Sequence, residues 1–457
     1  MRSVFLAAAL LTALAPAGPA RAQVAATNLT CVTNTTGTPT SANGSIRWPA
    51  ANPVWEFDFY RPANRTTGQG TGLEIRNVRY LGRKVFERAS VPVLNVEYDP
   101  GSGCSCYRDW QYTESRFVAD GVVPSASCIA EATPGAVQTN CERGSPIADA
   151  GSFNGVAIED YGDELVLTAH MSAGWYRYRM RWHFYADGRL WPEYAFAASS
   201  NVCTSAARRH HAYWRFDFDL DGSPNTDVVM EHDAAGQTLT FTQEASRTWR
   251  QPEDGVYWSV RDSESGAGFT IVPSADDLAT PVDAYSKTDF LVLRYKADEI
   301  DDGLTIGTGC AFMFEPWVNR ESLEGQDVVV WYRSSTSRPV GPSFCKLSGP
   351  MLTPFGYAGV SLEPPAPVAD VAELQAAFPN PFTPYSTVRF RVAETQEVRL
   401  VLFDARGRAL RTLFSGLAEA GSYESVPIDG AGLPAGTYLV RLEGAGFSRT
   451  TQVVIAR

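Results

Sequence analysis

A chain of 457 residues can bury at least one large core, and its length sets a prior of about three domains, so a single small bundle is excluded. Charged residues make up 20% and aromatics 12%, with 38 glycines and 29 prolines, a profile of ordered β-rich domains rather than of disorder or collagen. The formal net charge of −12, with no basic run anywhere, argues against duplex nucleic acid and against an anionic membrane as partner.

Residues 1–22 carry Arg2, an apolar run from Val4 to Leu14, then Pro16, Gly18 and Pro19, and end in Ala20-Arg21-Ala22. This is the pattern of a secretory signal peptide. The apolar run is shorter than the roughly 20 residues a spanning helix needs, and no later stretch reaches that length, so no transmembrane segment is expected. Eight cysteines follow, Cys31, Cys104, Cys106, Cys128, Cys141, Cys203, Cys310 and Cys345. An even count in an exported chain predicts disulfides. Cys104-Ser-Cys106 is one residue short of a zinc clip, and no second pair completes it. The pairing stays open, although Cys128 with Cys141 would close a short Pro/Gly loop.

From Trp55 to about Trp331, short runs of alternating or β-branched and aromatic residues recur, broken by Gly, Pro, Asn and Asp. Examples are Trp55–Tyr60, Tyr176–Phe184, Trp214–Leu220 and Val328–Tyr332. A period of two over many short segments predicts strands, and Ala186-Asp-Gly188 and Asp221-Gly-Ser-Pro224 are placed as hairpin turns. The expectation is an all-β chain with a large antiparallel β-sandwich. Pro364-Pro365-Ala366-Pro367 predicts a stiff linker, and the tail beyond it carries its own short strands, enough for a small sandwich. The expected organisation is therefore a signal peptide at 1–22, a large domain at 23–360, a linker at 361–375 and a small domain at 376–457.

The tail opens with Phe378-Pro-Asn-Pro-Phe382, carries Phe403-Asp-Ala-Arg-Gly-Arg408 in its middle and ends on Leu433-Pro-Ala-Gly-Thr-Tyr438 before the last strands. It resembles the C-terminal sorting domain of the bacterial type IX secretion system, a small Ig-like β-sandwich. The resemblance implies the secretion machinery as partner, passage through periplasm and outer membrane, and a product that is secreted or held at the cell surface.

Gly72–Tyr80, Arg88-Ala-Ser90, Val96-Glu-Tyr98-Asp-Pro100 and Tyr107-Arg-Asp-Trp-Gln111 follow the order found at the start of the copper amine oxidase catalytic domain. Gly174–Tyr178, Trp182–Gly188, Arg215–Gly222 and Asn319-Arg-Glu321 through Asp327–Trp331 continue that order. The resemblance implies a large β-supersandwich. In that family a quinone made from a tyrosine of the chain, with copper on three histidines, oxidises primary amines to aldehydes with release of ammonia and hydrogen peroxide, and a carboxylate removes the α-proton.

Carried onto this sequence, the H-x-H copper pair falls at Arg208 and His210, and the third histidine falls at Arg338. An arginine side chain stays protonated and offers no lone pair to a metal. His211 is no substitute beside His210, because neighbours on a strand face opposite sides. Tyr176 occupies the quinone-precursor position, between Trp175 and Arg177 rather than the family's Asn and acid. Glu114 is a displaced candidate for the base. Asp217, Asp219 and Asp327 match the family's separate calcium ligands, and carboxylates two apart on a strand share a face.

These readings predict an exported, copper-amine-oxidase-like protein without redox turnover, a pseudoenzyme or binding module. Its two arginines would hold an anionic group where the dication sat. The alternative is an active copper-dependent primary amine oxidase with shifted ligands, retaining copper and topaquinone. The ligand and the oligomeric state are not written in the sequence, although the resembled family is usually a homodimer.

Overall fold

In the larger of two units, alternation along the strands builds two mainly antiparallel sheets that bury their facing side chains against each other, the one parallel pairing among the described strands being Ile129–Ala132 with Val156–Asp160. This is a computed structural model. It describes residues 25–27, 44–64, 67–99, 102–104, 106–119, 121–122, 129–132, 136–143, 151–199, 201–248, 255–274, 277, 288–300, 315–338, 348–357, 372–374, 377, 382, 385–392, 394–404, 408–418, 424–445 and 447–456. The expected signal peptide, the linker prolines, the turn at 405–407, the side chain of Arg338 and cysteines 31, 128, 310 and 345 lie outside the described residues. The units are Met1–Gly359 and Val360–Arg457.

The first sheet of the larger unit runs in the order Ala25–Thr27, Gly44–Trp48, Trp55–Tyr60, Glu74–Tyr80, Arg83–Tyr98, Arg208–Phe218, Val328–Arg338, Phe290–Arg294 and Ala245–Arg247, with Tyr107–Arg108 paired off Arg83–Tyr98. The second runs Thr238–Thr240, Asp227–His232, Tyr257–Asp262, Gly268–Val272, Met351–Phe355, Leu190–Ala198, Tyr176–Tyr185, Glu164–Ala173, Val156–Asp160, Ile129–Ala132 and Gly121–Val122. Between them, Leu94, Val96, Trp214 and Phe216 of the first sheet meet Leu167, Tyr178, Met180 and Trp182 of the second. Trp182 and Trp214 cross edge to face at 5.2 Å, and the Trp182 indole N–H donates to Leu73 O at 2.8 Å. Each such aromatic pair adds about 1 kcal/mol beyond the area it buries.

Ala186-Asp-Gly188 is the expected hairpin turn, with Gly188 N–H bonded to Tyr185 O. Gly188 has φ 90°, and a Cβ there would run into the Tyr80 ring. Asp221–Pro224 is not a hairpin. Strand Arg208–Phe218 already has Arg83–Tyr98 on one side and Val328–Arg338 on the other, so the next strand has no edge to join and crosses to the second sheet. Asp221 and Gly222, at φ 59° and 78°, make that crossing.

The smaller unit has a three-stranded sheet of Ala372–Leu374, Tyr385–Val392 and Glu424–Asp429. Facing it is a four-stranded sheet of Ala409–Ala418, Gln396–Asp404, Gly436–Gly444 and Phe447–Ile455. Val388, Phe390, Leu400, Leu402, Val440 and Leu442 form its core. Ala372–Leu374, expected within the linker, pairs with Phe390–Val392, so the tail's own sheet begins before residue 376.

Candidate functional site

Strand Arg208–Phe218 presents two faces of different chemistry. Ala212, Trp214 and Phe216 enter the core between the sheets, whereas Tyr213 joins Val93, Leu291, Val329 and Trp331 on the other side. By the same alternation Arg208 and His210 face inward, toward Tyr176 and Tyr178 on strand Tyr176–Tyr185. His211 faces away, its Nδ1 2.8 Å from Ser335 Oγ. Arg208 and Arg338 are direct cross-strand partners.

Tyr176 is buried, and its hydroxyl shares a 2.7 Å hydrogen bond with the Tyr98 hydroxyl, which also accepts from the Trp175 indole at 2.9 Å. Burial, then the neighbouring Tyr98, pushes the Tyr176 hydroxyl far up from its ordinary range. Burial raises Tyr98 to about 12 against the hydrogen bonds it receives. The His210 ring meets the Tyr176 ring edge-on at 4.6 Å and stacks on Phe196 at 3.5 Å. Its Nδ1 is 3.2 Å from the Tyr178 hydroxyl, and its buried Nε2 has no hydrogen-bond partner. Burial, then the charge on Arg208, drives His210 well below the usual imidazole range, so the ring is neutral. The Tyr178 hydroxyl donates to Asp109, a fully buried carboxyl that burial lifts to about 7 despite that bond. Asp109 thus holds a proton near neutrality, at one end of a hydrogen-bonded chain that runs through Tyr178 to the neutral His210.

Arg208 lies buried with its guanidinium carbon 5.9 Å from the centre of the Tyr176 ring, and its Nη1 donates to Thr204 O at 2.8 Å and Ala206 O at 3.0 Å. The disulfide Cys104–Cys203 ties the turn that supplies those carbonyls to the segment leading to Asp109. Cys106 and Cys141 are also in disulfides.

Glu114 is held elsewhere, in a two-pronged pair with Arg61 and in a hydrogen bond from Ala63 N at 3.2 Å. The remaining histidines are apart from the site. His170 bonds Arg116 O, His183 bonds Glu164, and His232 bonds Thr238 and Ser259. Asp217 accepts from Arg215 at 3.1 Å, and Asp219 lies 3.8 Å from Lys84. Asp219, Asp327 and, from the second sheet, Asp227 each keep a buried oxygen without a hydrogen-bond partner. Burial, then repulsion from Asp217 and Asp219, raises Asp327 to about 7. Burial, opposed by the Leu220 N–H and reinforced by Asp262, Asp219 and Asp327, raises Asp227 to about 8. Among the described residues, no three His, Cys, Asp or Glu side chains converge as a metal site. The residues around Tyr176 do not fit copper: one imidazole is present, and a guanidinium stands two residues before it on the same face.

Asp109, Tyr178 and Tyr98 had no assigned role in the sequence, although all three stand inside motifs carrying the resemblance. Their signal was a buried-type polar residue beside aromatics, which only the strand pairing converts into a contact.

Comparison with known proteins settles the tail first. Residues 376–456 match the secretion system C-terminal sorting domain. The sorting domain marks the chain for export to the cell surface or into the medium and implies engagement with the secretion machinery. Among the described residues no helix is long and apolar enough to cross a membrane. The chain as a whole is structurally similar to PPLO, seen at 1.23 Å, with TM-score 0.50 and 14% identity over 80% of this chain and 55% of that one. A second crystal structure, of Pichia pastoris lysyl oxidase PPLO, gives TM-score 0.48 and 13% identity over 81% of this chain and 55% of that one. A copper-containing benzylamine oxidase from Hansenula polymorpha gives TM-score 0.46 and 14% identity over 72% of this chain and 63% of that one. The likeness is one of fold, that of the copper amine oxidases, and the chain spans about half the length of the PPLO structures. No curated protein sequence matches it.

Proposed function

We propose that this is an exported protein whose amine-oxidase-like unit lacks a copper centre and serves as a binding module for an anionic group. One observation carries the reading: the buried Arg208 guanidinium faces Tyr176 and a neutral His210 from the position where the resemblance expects a metal ligand. A fixed positive charge there repels a dication and attracts a carboxylate or phosphate. With no metal to convert it, Tyr176 remains a tyrosine hydrogen-bonded to Tyr98. The calcium reading, on Asp217, Asp219 and Asp327, is supported by the buried, unpartnered oxygens of Asp219 and Asp327 and by the repulsion that raises Asp327, with Asp227 a further carboxylate in Coulombic reach.

The second reading, a working amine oxidase with shifted ligands, is favoured by the unpartnered Nε2 of His210. Metal analysis, a quinone stain and a peroxide assay with benzylamine on the purified mature protein separate the two. We expect no bound copper, no stain and no peroxide. Stoichiometric copper with a stainable quinone overturns the first reading. Titration with benzoate and inorganic phosphate then tests the pocket, and binding that Arg208→Ala leaves unchanged rejects the anion assignment.

A further inference from the structure

His210 is 4% exposed, and its two ring nitrogens keep different company. Nδ1 stands 3.2 Å from the Tyr178 hydroxyl, whereas Nε2 is buried and has no hydrogen-bond partner. Phe196, stacked on the ring, and Tyr176, set edge-on to it, hold the ring plane. A neutral imidazole carries one N–H and one lone pair, so whatever Nδ1 does, Nε2 does the opposite. An orphaned nitrogen at this depth calls for a polar ligand atom.

The role of Nδ1 is decided at the far end of the chain. The Tyr178 hydroxyl has one proton to give and stands between the Asp109 carboxyl and Nδ1. An ionised Asp109 can only accept, so Tyr178 donates to it, Nδ1–H donates to the Tyr178 oxygen, and Nε2 keeps the lone pair. Once Asp109 takes up a proton, its own O–H donates to the Tyr178 oxygen, Tyr178 turns its hydrogen to Nδ1, and the ring hydrogen resides on Nε2. One proton is taken up in all, on Asp109. The imidazole stays neutral throughout.

The other groups around this chain do not compete for that proton. Tyr98, Tyr176, Tyr178 and Tyr194 feel the Asp109 charge, and burial, the largest cause in each, raises all four hydroxyls above the ordinary phenol range. Arg108, next to Asp109 in the chain, donates to Asn95. After burial, Arg208 and then His211 oppose a second proton on the His210 ring.

We propose that His210 Nε2 is the hydrogen-bonding contact for a carboxylate ligand of this pocket, and that Asp109, acting through Tyr178, switches it between an N–H donor and a lone pair without charging the ring. With Asp109 protonated, Nε2–H adds a donor to the attraction of Arg208. With Asp109 ionised, the lone pair and the carboxylate charge both turn an anion away. This use of the switch rests on the anion-binding reading of the pocket, whereas the tautomer change does not.

The test uses the full mature protein with nitrogen-15 in its histidine rings. Between pH 9 and pH 5 the His210 resonances, assigned by their loss in His210→Gln, should show the hydrogen moving from Nδ1 to Nε2, with a midpoint near the Asp109 value of about 7. Asp109→Asn, whose amide N–H donates to Tyr178 as the protonated acid does, should keep the hydrogen on Nε2 at every pH. Tyr178→Phe should remove the pH response, and if Asp109→Asn does not fold, the parent and Tyr178→Phe decide. A hydrogen on the same nitrogen throughout, a doubly protonated ring, or an unaltered response in Tyr178→Phe overturns the switch. Benzoate, ionised across the range, should bind the parent roughly tenfold more tightly at pH 6 than at pH 9, the effect of one hydrogen bond to a charged group, and Asp109→Asn equally at both. Benzoate binding that needs Arg208 but ignores pH overturns the Nε2 contact and leaves the anion site standing. No benzoate binding at either pH overturns the anion reading and the contact together, while the spectra still decide the switch.

Discussion

Replacing Asp109 by Asn removes a buried acid while keeping its shape and its hydrogen bond with Tyr178. Burial raises this carboxyl from 3.8 to about 7 in the folded protein. The folded state therefore holds a proton that the unfolded chain releases between these values. The resulting stability is fully present below about pH 4 and is lost as pH rises through about 7. At about 1.4 kcal/mol per pH unit, the rise from 3.8 to about 7 corresponds to roughly 4 kcal/mol, a large share of a typical folding margin of about 5–15 kcal/mol. Asp277, raised by burial to about 7 against the Tyr332 hydrogen bond, contributes with the same sign. Glu193, whose burial is outweighed by Arg179, is held at about 2 and acts only in more acid solution. Urea unfolding of parent and Asp109→Asn at pH 5, 6, 7 and 8 measures the effect. The parent should lose stability across this range, and the variant should lose about 3 kcal/mol less, the part of the effect that falls between pH 5 and about 7. An identical slope in both proteins refutes a neutral buried acid at this position.

Replacing both Cys104 and Cys203 by Ser opens a loop with a sequence separation of 99, for which chain entropy sets a ceiling of about 4.7 kcal/mol. Removal of a disulfide typically costs less than that ceiling, so a loss of about 2–4 kcal/mol is expected by denaturant titration, and a loss below 1 kcal/mol counts against the tether. Calcium should raise the unfolding midpoint more at pH 8 than at pH 5, because Asp227 and Asp327 must be ionised to bind it. Asp327→Asn should reduce that gain, as followed by differential scanning fluorimetry. A calcium response independent of pH and of Asp327 rejects the acidic end as the site.

Strand Tyr176–Tyr185 was legible from its letters because Tyr176, Tyr178, Met180, Trp182 and Phe184 alternate with Arg and His, and the first set enters the core between the sheets, while Arg179 and His183 are buried on the other face beside Glu193. The crossover at Asp221–Pro224 was not legible as such. Its Asp-Gly-Ser-Pro suits a hairpin, and what forbids one is the occupation of both edges of the preceding strand by distant segments. At the site, Tyr176 stood in a motif whose order could be followed along the chain, Arg208 and His210 followed from their spacing to the Arg215–Gly222 motif, and the structure brings these three together. Glu114 sits instead on Arg61, a partner 53 residues away that no local pattern indicates. Asp109, between Arg108 and Trp110, carries no local sign of burial; its partner Tyr178 is 69 residues on.

Strand Arg208–Phe218 is also a constraint on how this chain can change. Val328–Arg338 pairs with it residue for residue from Arg208–Arg338 to Asp217–Val329, and Arg83–Tyr98 pairs with it from Arg208–Tyr98 to Asp217–Arg88 across an irregularity between Tyr213 and Arg215. An insertion or deletion of one residue within it would turn every following side chain over, sending Arg215 and Asp217 into the apolar interior and Trp214 and Phe216 out of it. Length changes in this stretch of the gene should therefore survive only in pairs, whereas substitutions on either face can accumulate independently.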